Sequence, residues 1–315
     1  MSVLNLLITG VSGFIGRSLV EEIVNRNLPW SIYGIDIKKP CFNDSKYLKN
    51  IIFDILDIRD PKAVGEYFAD KKFDGVIHLA AISRVVDAEK DRENCIKTNL
   101  YGTKYLLDNV AKTPDTWVVF GSSREVYGEQ TVFPVKESSE KKPINIYGDC
   151  KLQSELLVKE MIKRYAILRF SNVYGNSYDI DGRVIPAFVN WALQNETLSI
   201  EGGNQIIDFT FIDDTVRSII KTVGLLQTEG LVTEEIHISP GAENKIMEIV
   251  SYLEEMLGKK LNVKVKAKRD YDVMRFVGDP SHRIEVLGES GFKTLKDGME
   301  ILLAEKSSIC NNKGN

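Results

Sequence analysis

The chain has 315 residues, 43% of them hydrophobic, enough to bury a full core, which excludes global disorder. Its net charge of −4 lacks the Lys/Arg surplus that phosphate neutralisation requires, so no nucleic-acid partner is expected. No window approaches the ~20 apolar residues of a spanning helix, and Cys41, Cys95, Cys150 and Cys310 form no C-x-x-C pair. A reducing cytoplasm, no membrane role and no metal are the expectation.

The first apolar run, Val3 to Ile8, leads into glycines instead of following a basic leader, and reads as a buried strand. Strand-length apolar runs follow in order at Leu4–Thr9, Ser31–Ile35, Gly75–Leu79, Trp117–Phe120 and Ala166–Phe170. Between and after them lie stretches of helical period at Phe14–Arg26, Lys62–Ala69, Asp91–Lys112 and Tyr147–Lys163. Such alternation predicts an α/β fold, a Rossmann-type doubly wound parallel sheet with helices on both faces. After Phe170 it breaks into loops rich in Gly, Asn and Asp, with helices near Ile185–Gln194, Lys245–Leu257 and Leu295–Ala304 and strands near Asp208–Ile212 and Glu235–Ile238. The predicted division is a Rossmann domain over residues 1–172, joined by later segments near 205–240, and a smaller mixed α/β lobe over 173–315. The tail Ser307–Asn315 reads as too polar to pack.

Gly10, Gly13 and Gly16 fall between a strand and a helix, where a tight turn, close phosphate approach and helix packing each require a missing side chain. The helix opening at Phe14 and Ile15 would aim its N–H groups at a pyrophosphate. Asp36 closes the second strand twenty residues after Gly16, and a carboxylate there accepts from both ribose hydroxyls and repels a 2′-phosphate. NAD is therefore favoured over NADP, although Lys38 and Lys39 would suit a phosphate.

Tyr147 and Lys151 stand four apart at a predicted helix start, on one face. An ammonium beside a phenol favours phenolate and draws its pKa from about 10 toward neutrality, so Tyr147 could accept a hydroxyl proton as carbon is oxidised.

With the glycine turn, His78-Leu79-Ala80-Ala81, Ser122-Ser123-Arg124-Glu125-Val126-Tyr127-Gly128 and Arg169-Phe170-Ser171-Asn172-Val173-Tyr174-Gly175 in this order, the chain resembles the extended short-chain dehydrogenase/reductases. More narrowly it resembles the NAD-dependent nucleotide-sugar epimerase/dehydratase family, over nearly its whole length. The resemblance implies that the second lobe binds a sugar nucleotide. It further implies that Ser123 bonds the reacting sugar hydroxyl beside Tyr147, that Lys151 also holds the nicotinamide ribose, and that Asp57 and Ile58 flank the adenine. Leu79, Ala80 and Ala81 would line the cofactor, Asn99 would sit near the active site, and Asn172 would meet the diphosphate. A homodimer is implied through the helices at Asp91–Lys112 and Tyr147–Lys163. On bland readings, Ser122 and Ser123 only cap a loop and Asn99 is an ordinary helix residue.

Two departures narrow the chemistry. Members that form 4-keto-6-deoxy sugars resemble Thr-Asp-Glu where this chain has Ser123, Arg124 and Glu125, and a guanidinium is a poor proton donor to a leaving hydroxyl. Glu125 is either a base at C5 or a structural carboxylate paired with a base such as Arg84, which is also a candidate substrate contact. In Gly202–Phe209, Ile207 stands where the family's diphosphate arginine belongs, leaving Arg183 or Arg275 to supply that charge. The expected activity is oxidation at C4 of a nucleotide-activated sugar, foremost as a 4-epimerase; a net 4-dehydrogenase, a dehydratase and a non-catalytic dinucleotide sensor are the alternatives.

Overall fold

The computed structural model describes residues 3–228 and 232–313, with side chains through Ile309. In chain order the elements are β1 (Leu4–Thr9), α1 (Phe14–Asn25), β2 (Trp30–Asp36), α2 (Ser45–Lys49), β3 (Ile51–Ile55), α3 (Pro61–Ala69), β4 (Gly75–His78), α4 (Val85–Lys90) and α5 (Arg92–Cys95). A π-helical turn (Ile96–Gly102) leads into α6 (Thr103–Val110). Then come β5 (Trp117–Ser123), a 3-10 turn (Arg124–Tyr127), α7 (Ile146–Met161), β6 (Tyr165–Phe170), β7 (Asn172–Tyr174), α8 (Val184–Gln194), β8 (Leu198–Glu201), β9 (Ile206–Ile207) and β10 (Phe209–Phe211). The chain continues through α9 (Ile212–Gln227), β11 (Thr233–Ile238), β12 (Asn244–Lys245), α10 (Ile246–Leu257), β13 (Val263–Lys266), β14 (Arg275–Phe276), α11 (Ser281–Leu287) and α12 (Leu295–Lys313).

Seven strands form one sheet in the order β11-β6-β5-β4-β1-β2-β3. The pairings β1 with β2, β2 with β3, β1 with β4 and β4 with β5 are parallel. β1 is apolar along its length because helices cover both faces of a parallel sheet, and Leu6, Leu7 and Ile8 are fully buried. One face carries a cluster in which Leu7, Val76, Val118, Phe120 and Ile167 pack under Val64 and Tyr67 of α3, Leu106 and Leu107 of α6, and Val158 of α7. Strand order reverses between β1 and β4, whose last residues Thr9 and His78 are register partners. The carboxyl ends of those two strands therefore open a crevice at a topological switch point.

Residues group into two compact units. One comprises Met1–Gly128, Glu140–Arg169 and Val216–Ile236; the other comprises Glu129–Ser139, Phe170–Thr215 and His237–Asn315. Within the second, β7 pairs in parallel with β10, β8 with β13, and β9 lies between β12 and β14.

Three features go beyond the sequence reading. The helix predicted over Asp91–Lys112 runs without a gap from Arg92 to Val110 but widens into a π turn at Ile96–Gly102, where the Asn99 carbonyl accepts from the hydroxyls of Thr103 (2.6 Å) and Ser154 (2.9 Å). β3 carries no clear strand pattern, because it is a sheet edge with mostly exposed or half-buried residues. The terminal helix expected near Leu295–Ala304 runs on to Lys313, since nothing from Ser307 to Lys313 breaks a helix. Gly314 and Asn315 lie outside the described residues, as does the side chain of Cys310.

Candidate active site

The glycine turn follows β1 into the crevice. Gly10 has φ +72°, and a Cβ there would lie 2.6 Å from the Ala80 nitrogen. A Cβ on Gly16 would strike the Gly10 carbonyl, and Gly13 N–H donates to that same carbonyl at 3.0 Å. Gly13 is the N-cap of α1 and offers no capping side chain, so the helix opens at Phe14 and Ile15 with its first N–H groups directed at the turn. Asp36, at the end of β2, accepts from Ser12 N–H at 3.0 Å, which sets its carboxylate beside the turn; Lys38 and Lys39 are exposed.

Thr9 ties the opposite wall to the turn. Its hydroxyl accepts from Ala80 N–H at 3.1 Å, and its carbonyl from Leu79 N–H at 3.2 Å. Leu79, Ala80 and Ala81 lie along this wall, Ala80 and Ala81 half-buried. Behind it His78 bridges the hydroxyls of Thr9 (2.6 Å) and Thr103 (2.8 Å), and burial with the nearby Lys151 charge pushes its pKa down to about 3. The Asn99 amide clamps the backbone of Ile82 in both directions, at 2.8 and 3.0 Å, so its observed contact is with the loop after β4. Asp57 follows β3 and is held low chiefly by hydrogen bonds from Arg59, which also reaches Asn94 at 2.7 Å. The Ile58 side chain packs into the apolar cluster.

β5 and α7 carry the residues named for chemistry. α7 starts at Ile146 because Asn145 caps it, accepting from Gly148 N–H at 2.8 Å. Tyr147 and Lys151 follow one turn apart, the ammonium 6.0 Å from the phenol ring centroid and 4.8 Å from that of Phe120. Lys151 donates to the Gly121 carbonyl at 2.6 Å, two residues before Ser123 on β5. Burial pulls the Lys151 pKa down to about 8, against neighbouring acidic groups that raise it. Ser123 is buried and caps the 3-10 turn, accepting from Glu125 N–H at 3.2 Å, while Ser122 donates to Glu155 at 2.5 Å.

Glu125 is a buried carboxylate whose ion-pair partner is Arg124, at 3.0 Å, and Asn145 donates to it at 2.8 Å. Arg84 instead stands at the start of α4 with Asp87 at 3.3 Å. Cys150 is packed with Ala88, Cys95, Ile146 and Tyr147.

The remaining named residues belong to the second unit. Asn172 opens β7, and Arg183 precedes α8, 3.4 Å from Asp179. Ile207 is buried on β9, where Arg275 is the register partner of the adjoining Ile206; Arg275 pairs with Glu243 and lies over the Phe133 ring at 4.1 Å. Sequence reasoning missed Asp208, a fully buried carboxylate that accepts from Gly241, Gly278 and Ala242 N–H groups at 3.0, 3.2 and 3.3 Å. Burial pushes its pKa up to about 7 against those bonds. It also missed Glu155 and Arg169, for which the available signal is a third polar residue four after Lys151 on the same helix face. Among the described residues no group of three or more His, Cys, Asp or Glu is placed to hold a metal.

A glycine turn at the switch point of a doubly wound sheet, with an acid closing the second strand, defines a Rossmann-type dinucleotide-binding protein. Residues 6–229 match the NAD dependent epimerase/dehydratase family, and the chain belongs to that family. It is 30% identical over 307 residues to dTDP-glucose 4,6-dehydratase of Haemophilus influenzae, covering 89% of this chain and 88% of that one. The UDP-glucose 4-epimerase of Thermotoga maritima, solved with UDP-glucose, is 26% identical with a TM-score of 0.87 and covers 98% of this chain and 100% of its own. The UDP-glucuronic acid 4-epimerase of Bacillus cereus, solved with UDP-glucuronic acid and NAD, is also 26% identical, with a TM-score of 0.85 over 97% of this chain and 100% of its own.

Proposed function

We propose that this chain binds NAD and oxidises the C4 hydroxyl of a nucleotide-activated sugar, acting as a sugar-nucleotide 4-epimerase. The observation that carries the reading is the Tyr147–Lys151 pair, with a buried ammonium beside the phenol and bonded to the strand that ends in Ser123. The cofactor fits: the side-chain-free turn at Gly10, Gly13 and Gly16 leaves room for a pyrophosphate at the uncapped start of α1, and Asp36 stands where a ribose would lie. NAD, when bound, supplies the acceptor and returning donor for the hydrogen on C4.

Tyr147 Oη takes the proton of the C4 hydroxyl. Ser123 Oγ holds that hydroxyl in place, and the Lys151 ammonium stabilises the phenolate. The 4-keto sugar rotates to present its other face, and Tyr147 returns the proton to the C4 oxygen as the opposite epimer forms. Leu79, Ala80 and Ala81 provide the apolar wall that excludes water from the reacting carbon. Asn172, Arg183 and Arg275 are the candidate contacts for the nucleotide diphosphate, with Arg275 supplying the charge absent at Ile207.

Glu125 is assigned a structural role, because Arg124 and Asn145 occupy its carboxylate. That removes the base at C5, and Arg124 removes the acid at C6, so dehydration is the weaker reading. We also propose a cytoplasmic homodimer joined through α5–α6 and α7, whose exposed Tyr101 and Leu156 supply apolar area. No helix among the described residues is long and apolar enough to cross a membrane.

The test is incubation of the purified protein with UDP-, dTDP-, GDP- and CDP-sugars, following NADH absorbance and product mass together. An altered sugar of unchanged mass without NADH supports the 4-epimerase. Loss of water or accumulation of NADH with a keto sugar replaces it with a dehydratase or a 4-dehydrogenase. No turnover of any sugar, with biological activity surviving Tyr147→Phe, replaces it with a dinucleotide sensor.

A further inference from the structure

A buried network of side chains stands behind the site, on elements that carry the reacting groups, and the reaction as proposed leaves it unused. Arg169 of β6 is fully buried and grips Glu155 of α7 with two bonds, Nε to Oε1 at 2.9 Å and Nη2 to Oε2 at 2.7 Å. Its Nη1 donates to the Tyr127 hydroxyl at 2.8 Å, and its guanidinium lies 5.3 Å from the centre of that ring. Glu155 Oε1 accepts a third bond, from Ser122 Oγ at 2.5 Å. On the far side Glu235 of β11 bonds both Arg169 and Lys159 of α7. Arg169 and Lys159 thus balance Glu155 and Glu235, the condition under which charges are tolerated inside a protein.

The attachment points matter more than the charge. Ser122 and Tyr127 bracket the segment Ser123–Val126, so both ends of the stretch bearing Ser123 are tied to one guanidinium–carboxylate pair. Glu155 lies one turn beyond Lys151 and two beyond Tyr147 on a single helix. Surface charge pairs contribute little, but a bidentate arginine–carboxylate pair shut away from water fixes orientation as well as distance. The remaining bonds converge on it from three elements.

We infer that Arg169, Glu155, Ser122 and Tyr127 form a positioning clamp that sets the Ser123 hydroxyl against Tyr147 for the chemical step. None of the four touches the reacting atoms. The inference rests on the function proposed above, since it needs Ser123 and Tyr147 to be the reacting pair. It concerns the rate of the chemical step, because geometry at the reacting centre is what the clamp holds while the nucleotide is bound by other groups. Small misplacements of such groups cost on the order of tenfold to a hundredfold in rate.

The test uses Ser122→Ala and Tyr127→Phe, which remove the Ser122–Glu155 and Arg169–Tyr127 bonds and leave Arg169 and Glu155 paired, so the core charge is not stranded. UDP-, dTDP-, GDP- and CDP-sugars serve as probes, and on the one the wild type turns over fastest kcat, KM, NAD affinity and melting temperature are measured for each protein and for the double variant. The clamp predicts kcat lower by about tenfold or more in each single variant, with KM and NAD affinity within about twofold. The double variant should lose less than the product of the two, because both bonds secure one segment. Wild-type kcat in folded Ser122→Ala and Tyr127→Phe overturns the clamp, as does a loss that only follows the fraction of molecules that melt or fail to bind NAD. Tyr147→Phe, run in parallel, separates the two levels: if it abolishes turnover while the clamp variants keep theirs, only the clamp fails. If it turns over normally, or if the wild type acts on none of the probes, the function fails and the clamp with it.

Discussion

The Lys151 ammonium is held almost without water, with the Gly121 carbonyl as an acceptor and two aromatic rings nearby. Burial brings its pKa down to about 8, so at neutral pH it still carries the charge that the Tyr147 phenolate needs beside it. Replacement of Tyr147 by Phe removes the proposed proton acceptor and leaves the glycine turn untouched. Turnover of the sugar nucleotide should fall by about 10²–10⁴-fold, with NAD binding, measured by fluorescence titration, unchanged. His78 gives a prediction of opposite kind, about stability. Its folded pKa of about 3 lies below the ordinary 6.5, so the stability it contributes is present above 6.5 and is lost as pH falls toward 3. Urea unfolding of wild type and His78→Gln should show a stability difference that shrinks across that window; a difference independent of pH would refute the neutral, doubly bonded imidazole.

At the scale of elements, β1, α1 and the turn between them act together. Gly10 needs its positive φ and its missing Cβ at once, because the β4 loop passes against it. Gly10→Ala should destabilise the fold by roughly 1–3 kcal/mol and weaken NAD binding by tenfold or more, readable as a lower denaturation midpoint and a raised Kd. These features are legible in the sequence because each is local: a glycine spacing, an apolar run, an i to i+4 pair. Asp36 and Ser123 are legible for the same reason, as strand ends near recognisable motifs. The partner of Glu125 is not, since Arg84 and Arg124 are equally basic in a string of letters and only the fold brings Arg124 to the carboxylate. Nor is the π turn at Asn99, whose carbonyl accepts from two hydroxyls, one of them from Ser154 on another helix. Asp208 is hidden because its bonds come from backbone groups far along the chain, and backbone donors leave no mark in sequence.

At the scale of the molecule, the seven-stranded sheet supplies a frame whose switch point puts the glycine turn and the loop after β4 at one end of the strands. Departures from the family pattern carry the choice of reaction in the proposed function. Arg124 pairs with Glu125 at 3.0 Å, so the proposal places neither an acid nor a free base where elimination would need them, and favours reversible oxidation at C4. Homodimer formation through α5–α6 and α7 would leave that chemistry within each chain, and sedimentation should give about twice the mass of one chain. The most direct measurement follows deuterium placed on C4 of the sugar nucleotide that the enzyme turns over. The account predicts an epimer that keeps the label at C4 and no deuterium lost to water, with Tyr147→Phe inactive. Washout of the C4 label, or incorporation of solvent deuterium at C5, would contradict it.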